Sequence, residues 1–557
     1  MGLLNIKLTE ESENGIYING NVSEKLGTNY IRSSVLRFGM RVAEIEVIHD
    51  NKLKDDELLL SKRVAEKLNV PLSCDYEILI NANKEFVIGP FIGIYMGRKK
   101  ATLLKKLRLV NSFAAKYTEV NGTVFAFTLD TVQKTNFMIK GYFYNPKMDR
   151  WEESTLPYPS TIFLRNTMNT EWREHFKALY GNNIFNYKPF DKWEMFQKLE
   201  QFPESLKVIP QTLLYKNADD VLNMLDKYHN LYVKPIGGKK GLGIFNVVRN
   251  EEGIVVQTRE NQENLKWVMN DEEFLRFMQE KLIIDKFVIQ ETIDLQIDNK
   301  VMDFRVGMEK DIAGDWTNKM FITRLSGDSS IVSNRAAGGG TIITVEQALK
   351  EIYRMSDEMV EEYTKKLLTV AKESAINLEK TGLNLGKLAF DLAIDKNRKI
   401  WIIEINSRYP DDSLANKIGD KEMYYEIRNT NMLYAKKLAG FGDSTSNLLT
   451  FKDSLSQSPC NELKRRFKVL VSIPRDQRNT YYELVQKISM EYDVTGKLNF
   501  NNLTKKVDIE VEGGGKQVEG FLSKINVGEN IQSKSVISIS EIKPLDEEQG
   551  FRNVMSE

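Results

Sequence analysis

The stretch IWIIEINSR, residues 400–408, opens as a buried strand and then places Glu404 and Asn406 where such a strand would be most apolar. Four of its first five residues are Ile or Trp. Side chains alternate across a strand, so Glu404 and Asn406 share one face, and Ile403 and Ile405 face the other way into a core. A buried carboxylate is costly unless it is paired or holds a metal. A carboxylate and an amide oxygen on one face suit Mg2+, a hard cation that takes oxygen donors. An edge strand with one wet face is the plainer alternative, and this stretch alone leaves both open.

Working outward, LGKLAFDLAID (residues 385–395) puts Asp391 inside another apolar strand. Two neighbouring antiparallel strands would bring Asp391, Glu404 and Asn406 together. Further upstream, LYVKPIGGKKGLGIFNV (residues 231–247) is a short strand carrying Lys234, then a loop with Gly237, Gly238, Gly241 and Gly243, then a second strand. Glycines let backbone N–H groups close on an anion, and Lys234, Lys239 and Lys240 supply positive charge. The loop lacks the Lys–Ser/Thr ending of a Walker A motif and does not open a helix as a Rossmann turn does. A hairpin with a glycine turn is the alternative. KFVIQETIDL (residues 286–295) ends a strand with Gln290 and Glu291, which could face an adenine edge. MDFRVGM sets Arg305 two residues after Asp303 on one strand face, and FITRLSGDSSIVSNRAAGGGT adds Arg324, Asn334 and Arg335. Guanidinium groups suit phosphate recognition, with solvated surface arginines as the alternative.

At 557 residues the chain exceeds one core, and about 150 residues per domain predicts three or four domains. Hydrophobic residues make up 41% and charged residues 28%, as in a globular protein. Lys+Arg and Asp+Glu both number 78, so no global field favours nucleic acid. Cys74 and Cys460 stand alone, which excludes a disulfide framework and fits a reducing cytoplasm. His49, His175 and His229 do not cluster. The opening residues MGLLNI carry no basic, then apolar, signal-peptide pattern, and no apolar run reaches a membrane span.

Patterning predicts six segments. Residues 1–87 mix short strands with a helix and read as a small α+β domain. Residues 88–186 read as an α/β unit: EFVIGPFIGIYMG as one buried strand, a basic amphipathic helix over about 100–117, then strands at TVFAFTL and STIFLRN. Helices and strands alternate over 187–440. The Ser- and Asp-rich 441–462 reads as a linker, 463–546 as a last compact α/β segment, and 547–557 as a tail.

The order of these motifs resembles the ATP-grasp superfamily, and more closely its YheC/YheD endospore-coat-associated branch. FNYKPFDKWEMFQKL, VIPQT, YVKPIGGKKGLGI, DFRVGM and FDLAIDKNRKIWIIEINSR carry the resemblance. It implies an ATP-grasp fold over 187–440 behind a pre-ATP-grasp domain. Lys192 and Lys234 then contact ATP phosphates, and the loop of Gly237, Gly238, Lys239, Gly241 and Gly243 closes over them. The hinge at Gln290, Glu291 and Ile293 holds the adenine, and Asp298 the ribose. Arg305 and Arg324, with Asn334 and Arg335, face the γ-phosphate or an acyl phosphate. Asp391, Glu404 and Asn406 hold Mg2+. The implied reaction joins a carboxylate to an amine through an acyl phosphate, with an amino acid or peptide as substrate. A nucleotide-binding spore-coat protein without turnover and an ATP-dependent kinase stay open beside it. Phosphoryl transfer depends mainly on positioning and charge neutralisation, and the chain shows no Ser–His or Cys–His constellation.

Residues 468–543 resemble an acylphosphatase-like, ferredoxin-like βαββαβ domain, on the order TGKLNF, VDIEVEG, VEGFLSKI. That family's glycine-rich phosphate loop is replaced by VSIPRDQRNTYYELV, which predicts a docking or substrate-binding module without chemistry. The expected setting is cytoplasmic or spore-associated. Expected partners are the two substrates, a second copy of the chain, and a coat or other protein on the C-terminal domain, with neither nucleic acid nor membrane.

Overall fold

EFVIGPFIGIYMG is two strands rather than one. Phe86–Gly89 closes a first sheet and Phe91–Tyr95 opens a second. Proline offers no N–H to a ladder, so Pro90 ends the pairing of one sheet, and its carbonyl accepts from Thr123 of the next at 2.8 Å. In this computed structural model the described residues are 4–10, 13–81, 84–237, 242–260, 263–297, 300–325, 341–407, 410–442, 465–472, 481, 485–486, 488–489, 492, 494–501, 506–513, 515–527, 535–542 and 551–554. They form two compact units, Met1–Tyr187 with Met432–Glu557, and Lys188–Asn431.

In the first unit, seven strands from Asn5–Thr9 to Phe86–Gly89 make one mixed sheet. The second sheet runs Val132–Gln133, Met138–Asn145, Thr123–Phe127, Phe91–Tyr95, Thr161–Leu164, Ile184–Phe185, and the last four are mutually parallel. The hairpin of Met138–Asn145 and Arg150–Pro157 on this sheet is absent from the sequence reading. The helix expected over 100–117 is broken into Lys100–Lys105, Leu107–Val110 and a 3-10 turn, Asn111–Phe113. Lys106 leaves helical geometry, at φ −108° and ψ 6°. Leu103, Val110, Phe113 and Tyr117 nevertheless all reach one core, so packing rather than a continuous ladder sets this path. The C-terminal sheet runs Ser535–Ile542, Arg465–Ser472, Lys506–Gly513, Thr495–Asn501, Phe551–Val554. The helix Gly515–Val527 lays Val518, Phe521 and Ile525 on its core. Phe551–Val554 lies in the segment expected to be a tail, and pairs in parallel with the sheet edge at Thr495–Asn501. The expected linker lies mostly outside the described residues.

The second unit holds two sheets. One runs Thr212–Leu214, Phe287–Glu291, Asn230–Pro235, Phe245–Asn250, Gly253–Glu260, Glu263–Met269, all antiparallel. Its core joins Leu231, Val233 and Ile289 to the helices Ala218–Tyr228 and Asp271–Lys281. The other runs Thr341–Ile343, Trp316–Leu325, Lys300–Lys310, Lys387–Ile394, Ile400–Asn406. One face of it, with Phe304, Val306, Phe390 and Leu392, packs on Leu367, Ala371 and Leu378 of the helix Asp357–Lys380. That helix starts on a Ser356 cap with Asp357 and Glu358 in its first turn and ends on Lys380, which suits its dipole. Full burial of each such Leu or Phe contributes about 1.5–3 kcal/mol. The opposite face carries the polar residues.

Candidate active site

Strict alternation along Ile400–Asn406 would put Ile400, Ile402, Glu404 and Asn406 on one face. The structure avoids this with a β-bulge. Leu392 pairs with Ile402 and Asp391 pairs with Glu404, so Ile403 is an extra residue in the ladder. Ile400, Ile402 and Ile405 therefore all join the core. Glu404 and Asn406 turn to the opposite face, beside Asp391 and Ala389. The sequence reading set Ile403 with Ile405 in the core. Here the bulge changes the phase and Ile403 is only partly buried.

Asn406 Nδ2 donates to Asp391 Oδ2 at 3.5 Å, and Glu404 lies directly across the ladder from Asp391. Two carboxylates and an amide on one face are the hard oxygen donors that Mg2+ takes, so the residues fit the ion. Among the described residues no group of three or more His, Cys, Asp or Glu is placed to hold a metal ion.

The first sheet contributes the cations. Lys234 stands on the strand Asn230–Pro235, and its Nζ donates to Gln290 Oε1 at 2.7 Å. Gln290 Nε2 donates in turn to Thr212 Oγ1 at 2.9 Å. Desolvation, then the Lys192 charge, push the Lys234 ammonium down to about 8, and Glu404 opposes them. Lys192 begins the helix Lys192–Leu199, whose capping box is Asp191 with Glu194. Its N–H donates to Ile236 O at 3.4 Å, and the N–H of Phe190 donates to Ser407 Oγ at 3.3 Å. These bonds tie the helix start to both sheets and leave Lys192 Nζ 3.8 Å from Glu404 Oε1.

Arg305 and Arg324 reach the same carboxylate. Arg305 Nε lies 2.5 Å from Asp391 Oδ1, and Arg324 Nη2 lies 3.0 Å from Asp391 Oδ2. The structure thus brings together Lys192, Lys234, Gln290, Arg305, Arg324, Asp391, Glu404 and Asn406. The Gln290 side chain has both ends engaged within the sheet, and Glu291 Oε1 accepts from Gln211 N–H at 2.8 Å. Both side chains are therefore held within the sheet rather than projecting from it. Gly243 takes a left-handed φ of +70°, which requires glycine, whereas a Cβ on Gly237 would meet open space. Gly238, Lys239, Gly241, Asp298, Asn334 and Arg335 lie outside the described residues.

The sequence reading assigned no role to Thr212, Asp303 or the buried charges Glu309, Lys387, Asp412 and Arg428. For Asp303 a signal existed: its spacing of two from Arg305 puts both on the same, polar face of the strand. The other charges pair across distant segments. Lys387 Nζ meets Glu309 Oε1 at 3.0 Å and Asp412 Oδ1 at 2.5 Å, and Arg428 Nε meets Asp412 Oδ2 at 3.1 Å.

A family model described as YheC/D-like ATP-grasp matches residues 181–438. The chain is 26% identical to the endospore coat-associated protein YheD of Bacillus subtilis (strain 168), over 67% of this chain and 83% of that protein. It is 19% identical to the endospore coat-associated protein YheC of the same organism, over 51% of this chain and 79% of that protein. Among solved structures, D-alanyl-alanine synthetase A from Vibrio cholerae aligns at 9% identity and a TM-score of 0.38, over 61% of this chain and 98% of that one. Among the described residues no helix is long and apolar enough to cross a membrane. The polar face of the second sheet thus lies within residues 181–438, the part of the chain that matches the YheC/D-like ATP-grasp family model.

Proposed function

We propose that the chain is an ATP-dependent carboxylate–amine ligase. The observation that supports this most is the opposition across one site of Lys234 and Lys192 to Asp391, Glu404 and Asn406, with Lys192 and Glu404 3.8 Å apart. Lys192, Lys234 and the glycine loop would hold the phosphates, and the hinge around Ile293 the adenine. Asp391, Glu404 and Asn406 would hold Mg2+, which would supply charge neutralisation at the phosphates. Arg305 and Arg324 would supply preorganised donors that stabilise charge on a transferring phosphoryl group. The carboxylate oxygen of one substrate takes the γ-phosphoryl group and ADP leaves. The amine nitrogen of the other attacks the acyl carbon, loses a proton and expels phosphate. In this reading Asp298 holds the ribose, and Asn334 and Arg335 belong with the arginines.

The test is a screen of amino acids and peptides for ADP release, with phosphate and product mass measured in parallel. A ligase releases ADP and phosphate together and forms an amide only when both substrates are present. ADP without phosphate would indicate a kinase.

A second reading is an ATP-binding, coat-associated protein without turnover. The descriptions of both Bacillus relatives favour it, as does the full engagement of Asp391 by arginines. In that case nucleotide binds and no member of the screen releases ADP. In either reading we place the chain in the cytoplasm or at the spore, with the C-terminal domain as a docking module.

A further inference from the structure

The strand Lys300–Lys310 runs between Trp316–Leu325 and Lys387–Ile394, and its ladders set Asp303 opposite Arg324 and Arg305 opposite Asp391. The four side chains form an alternating row: Arg305, Asp391, Arg324, Asp303. Arg305 grips Asp391 through Nε at 2.5 Å and Nη2 at 3.1 Å. Arg324 divides its fork, with Nη2 on Asp391 at 3.0 Å and Nε on Asp303 at 2.6 Å. No side chain of the row is more than 12% exposed.

The Asp391 oxygens that would face a divalent cation are the ones the guanidinium groups now hold. Taking up a cation therefore means exchanging partners. A guanidinium left behind in a buried place without an anion is strongly unfavourable. It would either keep hold of Asp391 or leave the site. Arg324 is spared this choice, because its Nε stays on Asp303 while its Nη2 turns to another anion.

We propose, building on the nucleotide-and-metal reading above, that Asp303 is a positioning residue: it anchors Arg324 by Nε while Asp391 exchanges the Arg324 Nη2 for a divalent cation.

The test is a double-mutant cycle read as metal affinity. Mn2+ is titrated into the full chain saturated with a non-hydrolysable ATP analogue, and free Mn2+ is followed by electron paramagnetic resonance. Asp303→Asn, Arg324→Gln and the double variant are compared with wild type. In Asp303→Asn, Arg324 loses its anchor and competes for Asp391, so Mn2+ affinity falls about tenfold, within the usual coupling of contacting charges. Arg324→Gln binds Mn2+ at least as tightly as wild type, and the double variant matches it. Equal weakening by Asp303→Asn with and without Arg324 would overturn the proposal, as would no weakening at all. If Asp303→Asn does not fold, Arg324→Gln decides: weaker Mn2+ binding there also overturns it. Wild type that binds neither the analogue nor Mn2+ removes the nucleotide reading as well, whereas normal wild-type binding with a flat cycle removes this proposal alone.

Discussion

Gln290 shows how much one buried amide can hold. It is 8% exposed and joins Thr212 to Lys234 across three strands. Gln290→Met keeps the volume and strips both bonds, which should cost about 1–3 kcal/mol because Thr212 and Lys234 lose their partner. We expect a lower melting temperature together with weaker binding of a fluorescent ATP analogue; unchanged nucleotide affinity would show that Lys234 needs no such support. Lys234 itself predicts a pH dependence. Its ammonium titrates at about 8, and bound phosphates favour the charged form, so its pKa rises on binding. The affinity it supplies is complete below pH 8 and is lost as pH climbs above that value. The nucleotide-free fold behaves oppositely: the unfolded chain keeps this proton up to about 10.4, so stability rises from pH 8 toward that value. Calorimetric titrations from about pH 7 to about pH 9.5 should show affinity falling in wild type, with a shallower slope in Lys234→Met. Glu404→Gln is nearly isosteric on a half-exposed side chain, so the fold should survive. Phosphoryl transfer should drop at least about a hundredfold, in the range of losing one charge-stabilising group. Undiminished turnover would make Glu404 a wet-face carboxylate only.

Among the elements, the helix Lys421–Leu438 is tied to the second sheet by charge as well as by apolar packing. Tyr424 and Ile427 pack with Met320 and Ile322, and Arg428 pairs with Asp412, which also receives Lys387 from the strand Lys387–Ile394. These groups are almost fully buried, with Arg428 at 2% exposure. Breaking one partner out of such a network leaves an uncompensated charge, so Arg428→Met should cost about 3–5 kcal/mol in thermal or denaturant unfolding. A loss below about 1 kcal/mol would mean that Lys387 alone satisfies Asp412. None of this was visible in the sequence, whose reading assigned no role to Glu309, Lys387, Asp412 or Arg428. Their pairing depends on residues 16, 25 and 78 positions apart meeting over one sheet face. The capping signals, by contrast, are local. The strands of the site were legible for the same reason, because apolar runs of four to eight residues bounded by glycine or charge report their own burial.

At the scale of the whole molecule, the ATP-grasp domain sits within a chain whose other unit contributes three further sheets. The C-terminal sheet packs a helix on an apolar face, as its alternation predicts, while the sequence has no glycine between Val469 and Tyr482 and carries Pro474 there. A phosphate cradle needs converging backbone N–H groups, which proline cannot supply and glycine best allows. The full chain, without ATP, should hydrolyse a small acyl phosphate no faster than buffer does. Hydrolysis clearly above that rate would assign this domain a chemistry of its own.

Sequence alone determined that a strand with Asp391, a strand with Glu404 and Asn406, and a glycine loop after Lys234 occur in ATP-grasp order. Those facts are written in residue type and spacing, which local sterics and burial read directly. It could not determine which way Glu404 faces. Period-two alternation groups Glu404 with Ile400 and Ile402 and sets Ile403 and Ile405 against them, and only the ladder to Lys387–Ile394, by holding Ile403 as the extra residue, turns Glu404 away from Ile400, Ile402 and Ile405 together. In the same way the apolar run around Pro90 read as one strand, and only the pairing shows that two different sheets lie on either side of it. A bulge and a sheet boundary are properties of pairing between strands. They depend on the partner's register and on which side chains the shared core can accept, and neither is present in any one segment of chain.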